Sequence, residues 1–298
     1  MLFCHLIKGN NMKSLFLFVY FFMLLSLSSC GGSSSDKAKP SAKLFDASVA
    51  PITDGNWYQP AKNVSWQWQL TGVINTTYAV EIYDIDLFDS DTTLIQSIQA
   101  TGKKVICYFS AGSYENWRSD KNDFPANTLG KTLDGWQGEK WLDIRNESLA
   151  KIMKARLDLA KQKGCDGVEP DNMDGYTNNS GFTLTANDQL AYNKFIANEA
   201  HKRGLSVALK NDLNQIIELE PYYDFSVNEQ CHEYEECDLL IPFIEANKPV
   251  LIAEYANKYK HNTNNVRDEM CANSINAQMQ TLVLPLDLDD AFRVSCRP

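Results

Sequence analysis

Three carboxylates lie within six residues of one another, at Glu169, Asp171 and Asp174. They belong to a segment, Gly167 to Tyr176, that begins with a short apolar run typical of a buried strand. Like charges held this close repel one another, so the cluster indicates a functional site. Glu229 also follows an apolar run. Two carboxylates that meet at the same end of a sheet suggest cleavage of a glycosidic bond.

Eight short apolar runs predict the strands that must position these carboxylates. The runs are Trp66 to Leu70, Ala79 to Tyr83, Lys104 to Phe109, Gly167 to Glu169, Leu205 to Leu209, Phe225 to Val227, Pro249 to Ala253, and Leu282 to Leu286. Segments with helical spacing lie between several of them, at 91–101, 147–163 and 185–203, and each stops at a glycine. This alternation predicts the α/β class, with a single (β/α)8 TIM barrel over residues 56–298.

Polar side chains follow each predicted strand, and in barrel enzymes this carboxyl-terminal rim holds the chemistry. We therefore expect the residues that bind substrate to lie there. Besides the carboxylates above, the candidates are Asp84, Asp86, Ser110, Glu115, Asn172, Lys210, Asn211, Glu254, Tyr255 and Asp287.

Several aromatic residues follow strands or lie in rim loops, where an aromatic face can stack on a sugar ring and attract an amine. They are Tyr108, Tyr114, Trp117, Tyr176 and Tyr255. Each of them, taken singly, fits packing beneath a loop equally well. For Trp136 and Trp141 we expect packing, and we expect Arg118 and Arg145 to pair with acids of the rim.

The first 29 residues predict a secretory signal peptide, with a charged start near Met12 and a short apolar core. Met12 is a candidate for the true start. The apolar stretch ends in Leu27-Ser28-Ser29-Cys30, which resembles the bacterial lipobox, and Cys30 would then carry a lipid that anchors the chain to a membrane. Because Gly31 follows the cysteine, we expect the outer membrane or the cell surface. The alternative is an ordinary signal with a chance cysteine. Residues 30–55 are expected to form a flexible tether.

Six cysteines follow the predicted anchor, an even number in an exported chain, so disulfides are expected. Of the fifteen possible pairings we prefer Cys231 with Cys237 and Cys271 with Cys296, which leaves Cys107 with Cys165. A metal site is not expected, since the histidines show no ligand-like spacing. Acidic residues outnumber basic ones 38 to 28, which makes nucleic acid an unsuitable partner. The acidity either keeps an exported protein soluble or steers a cationic polymer.

Several ordered motifs resemble those of glycoside hydrolase family 114. They are Cys107 to Arg118, Trp141 to Arg145, Gly167 to Tyr176, Leu209-Lys210-Asn211, Val227 to Cys231 and Ala253-Glu254-Tyr255. The resemblance spans Trp66 to about Asp287. It implies a TIM barrel and endo-acting, retaining cleavage of α-1,4-linked galactosamine polymers, with no cofactor. Asp171 and Glu229 match the proposed catalytic pair of the family, within the unaltered patterns D-N-x-D and N-E-Q-C.

The chemistry of the residues agrees with that resemblance, because a retaining glycosidase needs one ionised and one protonated carboxyl about 5 to 5.5 Å apart. We assign Asp171 as nucleophile and Glu229 as acid/base, although the two roles could be exchanged. Glu169 and Asp174 are candidates for binding the ammonium groups of a cationic amino-sugar polymer. Alternatively, Glu169 points into the barrel and pairs with Lys210.

Three other interpretations are compatible with the sequence. A sugar-binding lipoprotein without activity would use the same rim, and a metal-dependent hydrolase or deacetylase would explain the carboxylate cluster at residues 169–174. A barrel glycosidase could also act on a different linkage, since a family resemblance carries the reaction type better than the substrate. We expect the protein to be a monomer.

Overall fold

The structure, a computed structural model, describes residues 43–297. The predicted signal peptide, the candidate start at Met12, the predicted lipid site at Cys30 and the first part of the predicted tether lie outside these residues. The described part is an α/β fold with a curled sheet of nine strands and a smaller sheet of three. No helix in residues 43–297 is long and apolar enough to cross a membrane.

Eight parallel strands of the large sheet follow one another in chain order. They are β1 (Trp66–Gln69), β2 (Ile82–Asp86), β3 (Lys104–Ser110), β7 (Gly167–Asp171), β8 (Ser206–Lys210), β9 (Phe225–Glu229), β10 (Val250–Glu254) and β11 (Gln280–Val283). The short strand β12 (Val294–Ser295) pairs antiparallel with β11 at the edge. Because the eight strands are parallel, their carboxyl ends share one rim.

Between residues 43 and 297, seven α-helices accompany the strands. They are α1 (Thr92–Gln99), α2 (Leu149–Lys163), α3 (Ala186–His201), α4 (Ile216–Leu219), α5 (Ile241–Glu245), α6 (Asn257–His261) and α7 (Val266–Asn276). Local sequence fixes several ends: Asp91 caps α1, Thr185 and Asp188 form a capping box on α3, and Gly164 ends α2 with a left-handed φ of 89°. The three helices predicted from spacing are therefore confirmed.

The two faces of the large sheet bury two different cores. Alternate residues of the strands, such as Val105, Cys107 and Val207, pack on one face against helices α1 to α3. The opposite face forms a second core that includes Trp66 of β1 and Leu282 of β11. The first and last parallel strands thus share one core, and the Trp66 indole donates a hydrogen bond to the carbonyl of Gln280 at 3.0 Å. The sheet must be curled for these strands to meet.

All eight predicted strands are present; two are shifted along the chain, and β7 and β9 each end two residues later than predicted, at Asp171 and Glu229. Strand β2 begins three residues later than predicted, so Asp84 and Asp86 lie within it rather than after it. Strand β11 begins two residues earlier than predicted and ends at Val283. Apolar runs predict where a strand lies better than where it begins and ends, because pairing with neighbouring strands decides the ends. Strand β2, for example, begins at Ile82, which is in register with Trp66 of β1.

The three-stranded antiparallel sheet was not predicted. It consists of β4 (Ser113–Glu115), β5 (Leu129–Leu133) and β6 (Trp136–Leu142), in the order β4-β6-β5, and it is inserted between β3 and α2. Asp134 and Gly135 connect β5 to β6, and Gly135 has a φ of 80°. An Asp-Gly pair between two such runs is a typical hairpin signal.

The three disulfides predicted from the sequence are confirmed: Cys107–Cys165, Cys231–Cys237 and Cys271–Cys296. The first joins β3 to the residues just before β7, the second lies directly after β9, and the third joins α7 to the segment containing β12.

Residues 44–52 differ from the flexible tether that the sequence predicts up to residue 55. Phe45 packs edge-on against the rings of Tyr192 and Phe195 on α3. The backbone of Ile52 donates a hydrogen bond to Asn198 at 2.9 Å. Burial of the Phe45 ring against α3 gives this stretch an apolar anchor that a tether lacks.

Candidate active site

Asp171 and Glu229 are brought together at the rim by a buried lysine. The amine of Lys210 lies 2.8 Å from Oδ1 of Asp171 and 3.1 Å from Oε2 of Glu229. Those two oxygens cannot be farther apart than both distances together, about 5.9 Å. The carboxyls of retaining glycosidases are about 5 to 5.5 Å apart, which lies within this limit. The carboxyls of inverting glycosidases are farther apart than this limit.

The three residues end three consecutive strands, since Asp171 is the last residue of β7, Lys210 of β8 and Glu229 of β9. The residue after each strand has a left-handed backbone: Asn172, Asn211 and Gln230 have φ of 61°, 49° and 61°. Asparagine adopts this conformation more readily than most residues, whereas glutamine is strained by it. The chain therefore turns sharply right after each residue of the site.

The carboxylate of Asp171 is held by several donors. The Tyr108 hydroxyl donates to Oδ2 at 2.9 Å, and the backbone N–H of Asn172 donates to Oδ1 at 2.7 Å. Together with Lys210, these donors fix the orientation of the carboxylate. Such an arrangement suits a nucleophile.

The carboxylate of Glu229 has two further partners. The Tyr255 hydroxyl donates to Oε1 at 2.5 Å, and the Asn211 amide donates to Oε2 at 3.4 Å. The same amide accepts a hydrogen bond from the backbone N–H of Glu229 at 3.0 Å, which fixes Asn211 against β9. Glu229 is more exposed than Asp171, with 27% of its side chain accessible against 17%. Glu229 is therefore the more accessible of the two carboxylates to a bound molecule.

A second layer of carboxyls, Asp84 and Glu169, lies beneath Lys210 and out of reach of solvent. Glu169 Oε1 is 3.7 Å from the Lys210 amine, and both acids are buried. Burial raises the pKa of both carboxyls well above the usual range, and the neighbouring Lys210 charge opposes that rise. Of the two alternatives for Glu169, the structure shows the one in which it lies near Lys210.

The carboxylates open into a cleft with a volume of about 420 Å³. Eight acids line it, against two bases. The acids are Asp86, Asp89, Glu115, Glu139, Asp171, Asp174, Glu229 and Asp287. Of the two bases, Arg118 is already paired with Asp86 at 2.5 Å and with Glu115 at 2.8 Å. The cleft therefore attracts cations.

A second cavity of about 490 Å³ adjoins the first, and the two share Asp174, Asn211, Glu229 and Gln230 in their walls. Burial raises the pKa of Asp174 to about 6 and that of Asp212, in the second cavity, to about 8. The two adjoining cavities form a groove, and Glu229 borders both of them.

The structure places most of the predicted site residues in the wall of the first cavity. These are Asp86, Tyr108, Glu115, Trp117, Asp171, Asn172, Asp174, Lys210, Asn211, Glu229 and Asp287. Their common feature is a position at the end of a strand or in the segment after it, as the rim argument predicts.

Six other predicted residues line neither the first nor the second cavity: Asp84, Ser110, Glu169, Tyr176, Glu254 and Tyr255. Asp84, Ser110, Glu169 and Glu254 are buried and do not face either cavity. Ser110 instead forms hydrogen bonds with the side chains of Ser113 and Asn172, and Glu254 accepts a hydrogen bond from the backbone N–H of His232. The Tyr255 hydroxyl donates a hydrogen bond to Glu229 and does not line the cavity wall. A strand-end position alone does not tell which side chains face the cleft.

The cavity wall also includes residues that sequence reasoning missed as binding residues, notably Trp68, Asp89, Trp136, Glu139 and Gln230. Trp68 lies within a strand and its ring is 5.0 Å from the Lys210 amine, a cation–π contact. Trp136 and Glu139 belong to the unpredicted hairpin. Recognition of the Asp-Gly turn at 134–135 would have located them.

The expectations for individual aromatic and basic residues are met at some positions and wrong at others. Trp141 is buried as expected, but Trp136 is half exposed in the cavity wall, so the expectation that it packs is wrong. Tyr114 packs edge-on against Phe124. Arg118 pairs with rim acids as expected, and Arg145 pairs with its near neighbour Asp143.

One grouping within residues 43–297 has potential metal ligands close together, namely Cys231, His232 and Cys237. The two cysteines form a disulfide, so they offer no thiolate to a metal. This grouping therefore does not fit a metal centre.

Two carboxylates held by a lysine at the ends of parallel strands, at the bottom of a long acidic groove, are the arrangement of a glycoside hydrolase. The sequence profile of Glycoside-hydrolase family GH114 matches residues 47–298. The chain belongs to this family.

Solved structures of known proteins resemble this chain. A crystal structure of Aspergillus fumigatus Ega3 in complex with galactosamine is 42% identical, covers 82% of this chain and 99% of its own, and has a TM-score of 0.77. The glycoside hydrolase domain of PelA from Pseudomonas aeruginosa is 13% identical, with coverage of 78% and 98% and a TM-score of 0.61, and it shows a similar fold. No curated protein matches the chain significantly.

Proposed function

We propose that this glycoside hydrolase cleaves α-1,4-galactosaminidic bonds within a cationic, galactosamine-containing exopolysaccharide, with retention of configuration. The observation that carries the proposal is the Lys210 bridge, which holds Asp171 and Glu229 at a separation suited to a covalent mechanism. The acidic groove supports a cationic substrate, and the Ega3 structure contains galactosamine. The large sheet, with eight parallel strands in chain order, supports a (β/α)8 TIM barrel.

The proposed mechanism has two displacements. In the first, the Asp171 carboxylate forms a bond to the anomeric carbon, while the glycosidic bond breaks and its oxygen takes a proton from Glu229. In the second, Glu229 removes a proton from water, the water oxygen bonds to the anomeric carbon, and the Asp171 ester breaks. Lys210 contacts both carboxylates and stabilises the charge that each carries in turn.

The proposal is tested with Asp171→Asn and Glu229→Gln. Because each change removes a group that acts only in bond cleavage, turnover should fall at least about a thousandfold with the fold intact. Matched controls are Asp54→Asn and Glu245→Gln, which change exposed acids outside the cavities. Products from deacetylated and acetylated galactosamine polymers are measured by mass spectrometry, and their anomeric configuration by NMR.

Three outcomes would contradict parts of this proposal. Appreciable turnover by either variant would exclude the assigned pair, and products of inverted configuration would exclude the covalent mechanism. Polymer binding by the wild type without any product would indicate a sugar-binding protein. If products formed only from a different glycan, the enzyme would be a glycosidase that cleaves another linkage.

We also propose that the chain is an exported lipoprotein, anchored through Cys30 at the outer membrane or the cell surface, and a monomer. The lipobox-like Leu27 to Cys30 and the small polar residues after it support the anchor. Metabolic labelling with a fatty acid, compared between the wild type and Cys30→Ala, tests it.

A further inference from the structure

Two large indoles in the cavity wall are exposed to solvent, with 50% of Trp117 and 48% of Trp136 accessible. Tryptophan has the largest apolar surface of the side chains, and its burial would stabilise the fold by a few kcal/mol, on the order of 25 cal/mol per Å². Two such residues left exposed in one concave wall are typical of a surface that binds a ligand.

Both indoles come from the inserted three-stranded sheet rather than from the parallel strands. Trp136 begins β6 directly after the turn at Gly135, and Trp117 follows the end of β4 by two residues. Strands β4 and β6 are paired, and the N–H of Asn116 donates to the carbonyl of Gly138 at 3.0 Å. The insert therefore supplies one wall of the groove as a unit.

Gly138 makes room for the Trp117 ring on β6, the strand that carries Trp136. A Cβ at this position would lie 3.0 Å from Cζ3 of Trp117, so the Trp117 ring lies over the backbone of Gly138. Gly138 is two residues from Trp136 on the same strand and has a φ of 99°. Both indoles line the wall of the first cavity.

The chemistry around the rings indicates what they bind. Indole faces stack on the apolar face of a sugar ring and attract ammonium groups through their quadrupole. Glu139, in register with Glu115 on the paired strand, adds a carboxyl to the same wall, whereas Glu115 is already paired with Arg118. The surface thus suits a sugar ring that carries an amine, and the groove places it in continuity with Asp171 and Glu229.

We propose that Trp117 and Trp136 form a stacking platform for amino-sugar residues of the polymer away from the bond that is cleaved. The identity of the sugar rests on the proposed function. The platform strengthens the binding of chains that contact both the carboxylates and the insert, which line the same cavity.

The experiment compares Trp117→Ala, Trp136→Ala and the double variant with the wild type on galactosamine polymer and on short oligomers. Loss of one stacking contact, about 0.5 to 1.5 kcal/mol, should raise KM for the polymer about two- to tenfold, and should raise it more for the polymer than for short oligomers. Trp136→Phe, which keeps an aromatic face, should restore most of the affinity. Val73→Ala, at a highly exposed apolar residue outside the cavities, serves as the control.

Binding is measured separately with the Glu229→Gln enzyme, by isothermal titration with the polymer, and thermal melts of each variant check the fold. Weaker polymer binding by the Trp variants supports the platform even if the wild type cleaves no galactosamine polymer, an outcome that would reject the proposed function alone. Unchanged KM and unchanged binding in the double variant would overturn the platform. Equal losses of kcat on short and long substrates would also overturn it, because the rings would then serve the cleavage centre.

Discussion

Lys210 is the residue that allows so many acids to lie together. Its buried amine contacts Asp171 and Glu229 and lies near Glu169, so three carboxyls share one cation. The sequence placed Lys210 at a strand end and suggested its pairing with Glu169. The bridge between Asp171 and Glu229 could not be predicted, because it depends on the relative height of three strand ends in the sheet.

Asp212 provides a test of the electrostatics at the level of a single residue. Burial, helped by the charge of Asp174, raises its pKa to about 8, against about 4 in an unfolded chain. The folded protein therefore holds a proton that the unfolded chain releases between these values. Asp212 therefore makes the free energy of unfolding fall as the pH rises from about 4 to 8. Its contribution does not change further above about pH 8.

In Asp212→Asn the free energy of unfolding should fall less steeply between pH 5 and 8, by at most about 1.4 kcal/mol per pH unit. The amide oxygen of the variant side chain can still accept the hydrogen bond that Asn193 donates to Asp212 in the wild type. Urea denaturation at pH 5, 6.5 and 8 measures the slope, with Asp158→Asn, an exposed acid, as the control. Identical slopes for the wild type and the Asp212 variant would show that Asp212 does not hold the proton.

At the level of elements, the ends of β3 and β7 are joined at Gly112. The backbone N–H groups of Ala111 and Gly112 both donate to the carbonyl of Asp171, at 2.9 and 3.0 Å. The carbonyl of Gly112 in turn accepts from Leu142 on β6 at 3.0 Å, which connects the inserted sheet to the same point. A Cβ on Gly112 would lie 1.7 Å from the carbonyl oxygen of Asn172.

Gly112→Ala should therefore force β3 and β7 apart and move the Asp171 carboxylate. We expect a loss of activity of about a hundredfold or more and a decrease of about 1 to 3 kcal/mol in the free energy of unfolding. Gly164→Ala is the matched control, since its left-handed φ strains any side chain but its surroundings are open. That control should lose about 1 kcal/mol of stability with kcat unchanged. Normal activity in Gly112→Ala would contradict the close approach.

Stability of the whole molecule depends on covalent links between distant parts. Cys107–Cys165 closes a chain separation of 58 residues that contains the inserted sheet and α2, and both cysteines are buried. Cys231–Cys237 closes a separation of six. In the chain-entropy model, a longer closed loop restricts the unfolded chain more.

The variant with Ala at both 107 and 165 should therefore lose about 3 to 5 kcal/mol of stability, and the variant with Ala at both 231 and 237 should lose less. Thermal and urea unfolding of both variants, alongside the oxidised wild type, measure the difference. A larger loss for the 231/237 variant would mean that native packing around the disulfides outweighs loop entropy.

The sequence determined the features whose signals are local. Alternating apolar runs located the eight parallel strands, glycines located the helix ends, and ordered motifs indicated the family that the profile match confirms. The disulfide pairing could be predicted from the order of the six cysteines and their proximity along the chain, because each disulfide joins two consecutive cysteines. Asp171 and Glu229 remain predictions as a catalytic pair, now with Lys210 between them.

The tertiary structure alone decided which rim residues face the groove. Asp84 and Asp86 are two residues apart on one strand, yet Asp84 is buried beside Glu169 whereas Asp86 lies in the cavity wall and pairs with Arg118. Trp136 lies in that wall because β6 pairs with β4 across a separate sheet. Such placements follow from how strands stagger and how an insertion folds back, and these depend on contacts between residues far apart in the chain, which local patterns do not encode.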